Sequence, residues 1–104
     1  MKTILVVYTD IKLADTDKMK RYAFNTEDGL EVNDVIKSPS YSTNMQVVKV
    51  LEKEYKYYNA QTGELSNNYT STLQFLIRDL VIQKYTHKNV IFATFVSRET
   101  DLPF

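Results

Sequence analysis

Short runs of alternating or β-branched apolar residues, broken at roughly 8–12-residue spacing by turn-forming clusters, constrain this chain more than any other feature. Side chains change face at every step of a strand, so each run buries one face and needs neighbouring strands to cover it. Residues 3–8 are short, apolar and rich in β-branched side chains, the profile of a buried strand. Residues 21–24 place Tyr22 and Phe24 on one face and Arg21 and Ala23 on the other. Residues 30–32 alternate again, Asn33 and Asp34 tolerate a left-handed backbone, and residues 35–37 resume the strand. Along residues 46–51, Val48 and Val50 face one way and Lys49 the other. Residues 54–65 read as a hairpin with Tyr55 and Tyr57 on one face and its turn at 59–63, and residues 89–96 supply a further strand.

The intervening stretches are polar. Residues 10–20 read as a loop, 25–29 as a turn, 38–44 as a loop in which Pro39 bars a central ladder position, 66–71 as a loop or exposed edge, and 97–104 as a tail. The segment 72–84 has two readings. Leu73, Leu76, Ile77, Leu80 and Val81 fall at the spacing of an amphipathic helix, with Thr72 available as its N-cap, yet Leu80-Val81-Ile82 is a strand-like run. The pattern predicts a mostly-β fold, a small barrel of the SH3 or OB kind, with one amphipathic helix near 72–84 if that segment takes its helical reading. Closure suits a chain of 104 residues because it leaves few unpaired edges. Only two glycines serve the turns, so asparagine, aspartate and serine must fill the special backbone positions. With no repeat or linker, residues 1–104 are expected to form a single domain.

The chemistry-bearing residues are sparse. Without cysteine there is no disulfide, thiolate nucleophile, iron–sulfur cluster or cysteine-based zinc site. His87 is the sole histidine, set between Thr86 and Lys88 as in a solvated turn, with no second imidazole to share a transition metal. Asp10, Asp15 and Asp17 are spaced loosely like hard-cation ligands, but the loop lacks the glycine and closing glutamate of an EF-hand. It reads as a solvated acidic loop balanced by Lys12, Lys18 and Lys20. Gly29 and Gly63 alone cannot build a glycine-rich phosphate loop. The expectation is a non-enzyme with no catalytic residue, metal site or cofactor. The apolar start stops at Asp10 without a small-residue cleavage site, so it reads as a first strand rather than an export signal. No stretch approaches the ~20 apolar residues of a membrane-spanning helix, and no membrane partner is expected.

Tyrosine is the remaining signal. There are eight, and Tyr55, Tyr57 and Tyr58 interleave with Lys53 and Lys56. Such a surface suits base stacking, worth roughly 1–3 kcal/mol per base, and equally a protein interface. Thirteen basic and thirteen acidic residues cancel, so no net field draws in a polyanion. A protein partner is therefore the leading expectation. A single-stranded nucleic acid gripped by Lys49, Lys53, Lys56 and the tyrosines is the alternative, and self-association is left open. The candidate contact residues are Tyr41, Lys53, Tyr55, Lys56, Tyr57, Tyr58 and Tyr69.

One stretch carries a resemblance. Arg21-Tyr22-Ala23-Phe24-Asn25-Thr26 followed by Leu30-Glu31-Val32-Asn33-Asp34-Val35-Ile36 resembles a pattern of small phage-encoded proteins. There an aromatic–x–aromatic–x–Thr strand precedes Leu-x-Val-Gly-Asp-x-Val, a loop and a valine-rich strand, here Gln46-Val47-Val48-Lys49-Val50. The hairpin of 57–65 is similar to segments of uncharacterised β-barrel proteins of Bacteroidetes phages, including crAss-like ones. The likeness spans residues 21–65, with Asn33 where the pattern has glycine. It implies a small barrel and a phage setting, in the cytoplasm of an infected bacterial host or in the virion, and it carries over no active site. The expected function is that of a non-enzymatic, phage-encoded binding protein, either a minor virion component or an inhibitor of a host system.

Overall fold

A computed structural model describes residues 1–27, 29–37, 43–70, 75–87 and 90–96, the side chains of Lys84, Tyr85, His87 and Val96 excepted. Its elements are all strands: β1 (Lys2–Tyr8), β2 (Tyr22–Thr26), β3 (Val35–Lys37), β4 (Met45–Val50), β5 (Tyr57–Tyr58), β6 (Leu65–Ser66), β7 (Phe75–Leu76), β8 (Arg78–His87) and β9 (Val90–Val96). Six close into a barrel in the order β1-β2-β8-β9-β3-β4, and β6-β5-β7 form a small separate sheet. The small, mostly-β barrel read from the sequence is the fold. No helix of the described residues is long and apolar enough to cross a membrane.

Strands neighbouring in both the chain and the barrel form antiparallel pairs, β1 with β2, β3 with β4, and β8 with β9. β1 also pairs antiparallel with β4, whereas β2–β8 and β3–β9 run parallel. The β8–β9 pair therefore sits between the other two. The interior is apolar: Ile4, Val6, Phe24, Ile36, Met45, Val47, Leu80 and Ile82 pack together, and the Phe24 and Phe95 rings lie 4.9 Å apart.

The outer face of β1 and β2 is not left to solvent. Leu5 and Ala23 point away from the interior into a second core with Tyr58 and Ile77, flanked by Val48, Tyr55 and Leu65. This core explains three departures from the sequence reading. First, the described part of the segment 72–84, residues 75–84, is strand on either side of Ile77 and not helix. β7 belongs to the outer sheet, β8 to the barrel, and Ile77 between them drops its side chain into the second core. Two successive cores, met three residues apart by Ile77 and Leu80, imitate part of a helical spacing. Second, Val48 and Val50 do not share a face. Leu5 pairs with Lys49 but Val6 with Val47, so Val48 is the extra residue of a β-bulge. The bulge turns Val48 to the second core while Val50 stays with the barrel interior. Third, Tyr55 packs with Tyr58 rather than facing as Tyr57 does, because Tyr55 precedes the short ladder of β5.

Polar residues fasten the two cores. Asn25, read as part of a turn, is a fully buried strand residue paired with Thr3. The Thr3 hydroxyl donates to Asn25 Oδ1, Asn25 Nδ2 donates to the Tyr55 carbonyl at 2.9 Å, and the Tyr55 N–H donates to Thr3 Oγ1 at 2.8 Å. The Thr3 backbone continues the connection, donating to the Lys53 carbonyl and accepting from the Leu51 N–H. A similar device holds the 10–20 loop. Buried Gln46 accepts the Leu13 N–H at 2.7 Å and donates to the Leu13 carbonyl at 2.8 Å, mimicking a strand pairing with one side chain.

Residues 30–32 are not a strand, although Leu30 still enters the barrel core. They lead into a turn in which Asn33 takes the left-handed conformation expected of it, with φ 77°. Asp34 accepts the Glu31 N–H on its carboxylate at 2.8 Å, and Asn33 donates its N–H to the Val47 carbonyl at 2.8 Å.

Two stability changes follow. Asn25→Ala strands the Thr3 hydroxyl and the Tyr55 carbonyl, and should lower unfolding free energy by roughly 2–4 kcal/mol, read from the urea midpoint. Asn33→Ala should cost about 1–2 kcal/mol in the same assay, and Asn33→Gly clearly less, because only the first places a Cβ in a left-handed position.

Candidate functional site

The three-stranded sheet decides what the surface offers. Tyr57 pairs with Ser66 and Leu76, and Tyr58 with Leu65 and Phe75, so the two tyrosines look to opposite sides of their sheet. Tyr58 goes down into the second core. Tyr57 is covered in another way: the Tyr69 ring lies edge-on to it, centroids 5.6 Å apart. Phe75 leans on Tyr58 at the same separation, its plane tilted by 41°. Both supporting tyrosines are buried, whereas Tyr69 and Phe75 are 58% and 57% exposed. The result is two exposed aromatic rings, each seated on a buried one.

The turn at one end of this sheet is well made. Asn59 accepts the Gln61 and Thr62 N–H groups on its side-chain oxygen, and the Gly63 N–H on its carbonyl. Gly63 sits at φ 72°, a conformation for which glycine is suited.

Among the contact residues proposed from sequence, Tyr69 is exposed, and so are Lys53 and Lys56. Tyr55 is half-buried, its peptide groups held by Thr3 and Asn25 and its ring set against the second core. Tyr57 and Tyr58 are turned inward, which leaves them as supports rather than open stacking faces. Tyr41 lies outside the described residues. Phe75 is the residue that sequence reasoning passed over. It falls between the positions Leu73, Leu76, Ile77 and Leu80 of the helical reading. A large aromatic off that apolar stripe would be exposed in a helix as well, and that was its signal.

No protein-family model, curated protein or solved structure matches this chain.

Asp15 and Asp17 are exposed, and Asp15 caps the Asp17 N–H within their own loop at 3.1 Å. Among the described residues no three histidine or carboxylate side chains come together as metal ligands do. His87 ends β8, its backbone paired with Val90.

One phenol is strongly perturbed. Burial pushes the Tyr58 hydroxyl up to about 12 from the ordinary 10, the nearby Tyr22 hydroxyl adds to this, and the Arg78 guanidinium opposes it. The unfolded chain releases this proton near pH 10 and the folded protein only near 12, so Tyr58 contributes stability below pH 10 that is lost between pH 10 and 12. Tyr58→Phe should therefore flatten the fall in thermal midpoint over that interval, relative to the wild type, in a series of melts from pH 8 to 12.

Proposed function

We propose that this chain is a non-enzymatic binding protein that docks another protein through the outer sheet, with Tyr69 and Phe75 as anchors. The observation that carries this reading is the seating of each exposed ring on a buried tyrosine. Interfaces draw most of their free energy from a few large, well-supported aromatic side chains. A ring already held by a neighbour loses little further freedom on binding, which favours affinity.

A single-strand binder would need a row of rings open to stacking. With Tyr57 and Tyr58 buried, that row is reduced, and the zero net charge adds no long-range pull on a polyanion. Protein docking is the better-supported of the two. The phage resemblance suggests the class of partner, a virion protein or a host protein that the phage restrains.

The test is a paired capture from a phage-infected Bacteroidetes lysate, using immobilised wild type and a Tyr69→Ser/Phe75→Ser double variant. Both substitutions remove exposed side chains, so the thermal midpoint should change little. A protein retained by the wild type and at least about tenfold depleted on the variant is the expected result. Equal retention on both would sink the assignment to these two rings.

A further inference from the structure

The two turns flanking β2 and the outer sheet meet in a cleft of about 200 Å³, lined by Asp17, Lys18, Met19, Lys20 and Arg21 on one side and Gln61, Thr62 and Gly63 on the other. Its lining carries three cations and one carboxylate in a chain whose charges cancel overall. Among the described residues, neither lysine has an ion-pair or hydrogen-bond partner. Drug-sized ligands occupy mostly apolar cavities of ~300–1,000 Å³. This cleft is smaller and polar, dimensions that suit one compact anionic group.

Its walls are held without help from a ligand. The Arg21 N–H donates to the Ala60 carbonyl at 3.3 Å and so ties one wall to the other. The Asp17 N–H is capped by Asp15, the Met19 N–H by the Thr16 carbonyl, and the Gln61, Thr62 and Gly63 N–H groups by Asn59. Arg21 is half-buried: its Nη1 donates to the Met19 carbonyl at 3.4 Å, and its Cδ lies where a Cβ on Gly63 would meet it at 3.5 Å. The guanidinium is thereby positioned at the cleft while keeping donors for a ligand, and its planar fork suits a phosphoryl group better than a point charge would.

We infer that this cleft binds a single phosphoryl group, free or as the monoester of a small metabolite, through Lys18, Lys20 and Arg21. The site is separate from the aromatic rings proposed for protein docking, and its success or failure leaves that reading untouched. Asp17 is the one group working against the anion, so its charge sets the affinity in the opposite sense to the lysines.

The experiment is a nuclear magnetic resonance titration of the full ¹⁵N-labelled chain with sodium phosphate, and separately with glycerol phosphate, at ionic strength matched by sodium chloride. Saturable shifts confined to the amides of 17–21 and 61–63 are expected. Preference for one probe tells the free anion from the ester. Lys18→Gln/Lys20→Gln should weaken binding about tenfold, and Asp17→Asn should strengthen it severalfold, all with unchanged melting. Equal shifts with chloride alone, shifts spread equally over Lys49 and Lys53, or indifference to both variants would overturn the proposal. Tighter binding per phosphate of a short single-stranded oligonucleotide at the same amides would overturn the assignment to a small ligand.

Discussion

The ring of hydrogen bonds among Thr3, Asn25 and the Tyr55 peptide joins the two cores, and the outer sheet depends on it. Buried polar groups are tolerated only when they find partners. Here a hydroxyl, a carboxamide and a peptide satisfy one another, and this locks the chain leaving β4 against the outer face of β1 and β2. From that point residue 56 is already in register: its N–H donates to the Ser66 carbonyl and its carbonyl accepts the Ile77 N–H. The three strands of the small sheet are thus brought together over Leu5 and Ala23. Strands of two residues have little stability of their own, so the apolar contacts beneath and the polar joint beside them decide whether the sheet exists.

The barrel interior is packed with aliphatic and aromatic side chains, and the exposed rings and charges lie on its outside. β5 is the pivot: one of its tyrosines closes the second core, the other supports Tyr69, and Tyr58 also supports Phe75. A protein of neutral net charge presents two exposed aromatic rings, one on each of the β5 tyrosines, and a small basic cleft at the turn of the same hairpin.

Strand content and closure were legible in the sequence because they rest on local alternation. Residues 3–8, the left-handed turn at Asn33 and the hairpin around Gly63 all stand where pattern and turn chemistry put them. What escaped depends on a second layer of structure that no local pattern announces. Asn25 has the composition of a turn residue, and only the arrival of Tyr55, thirty positions later, makes it a core one. The bulge at Val48 reverses a two-residue period in mid-strand. The spacing of Leu76, Ile77 and Leu80 belongs to a chain passing from one sheet to the next. The candidate site suffered most, since a tyrosine-rich hairpin looks alike whether its rings face solvent or another sheet. Tyr69 is exposed, Tyr57 and Tyr58 turn inward, and Phe75, off the apolar stripe of its segment, is exposed as well.

The insertion of β8–β9 between β2 and β3 bears on how the molecule comes to be assembled. Without that pair, the first four strands make an open sheet in the order β2-β1-β4-β3, with both outer edges bare. The pair that seals them comes late in the chain, and both of its seams are parallel contacts between segments far apart in sequence. Such contacts form slowly, because a long stretch of chain must be ordered before they reward it. During synthesis the nascent protein passes through an interval in which two unpaired edges are available to other chains. The finished barrel is a closed surface made by wedging, and the wedge is the last piece to arrive.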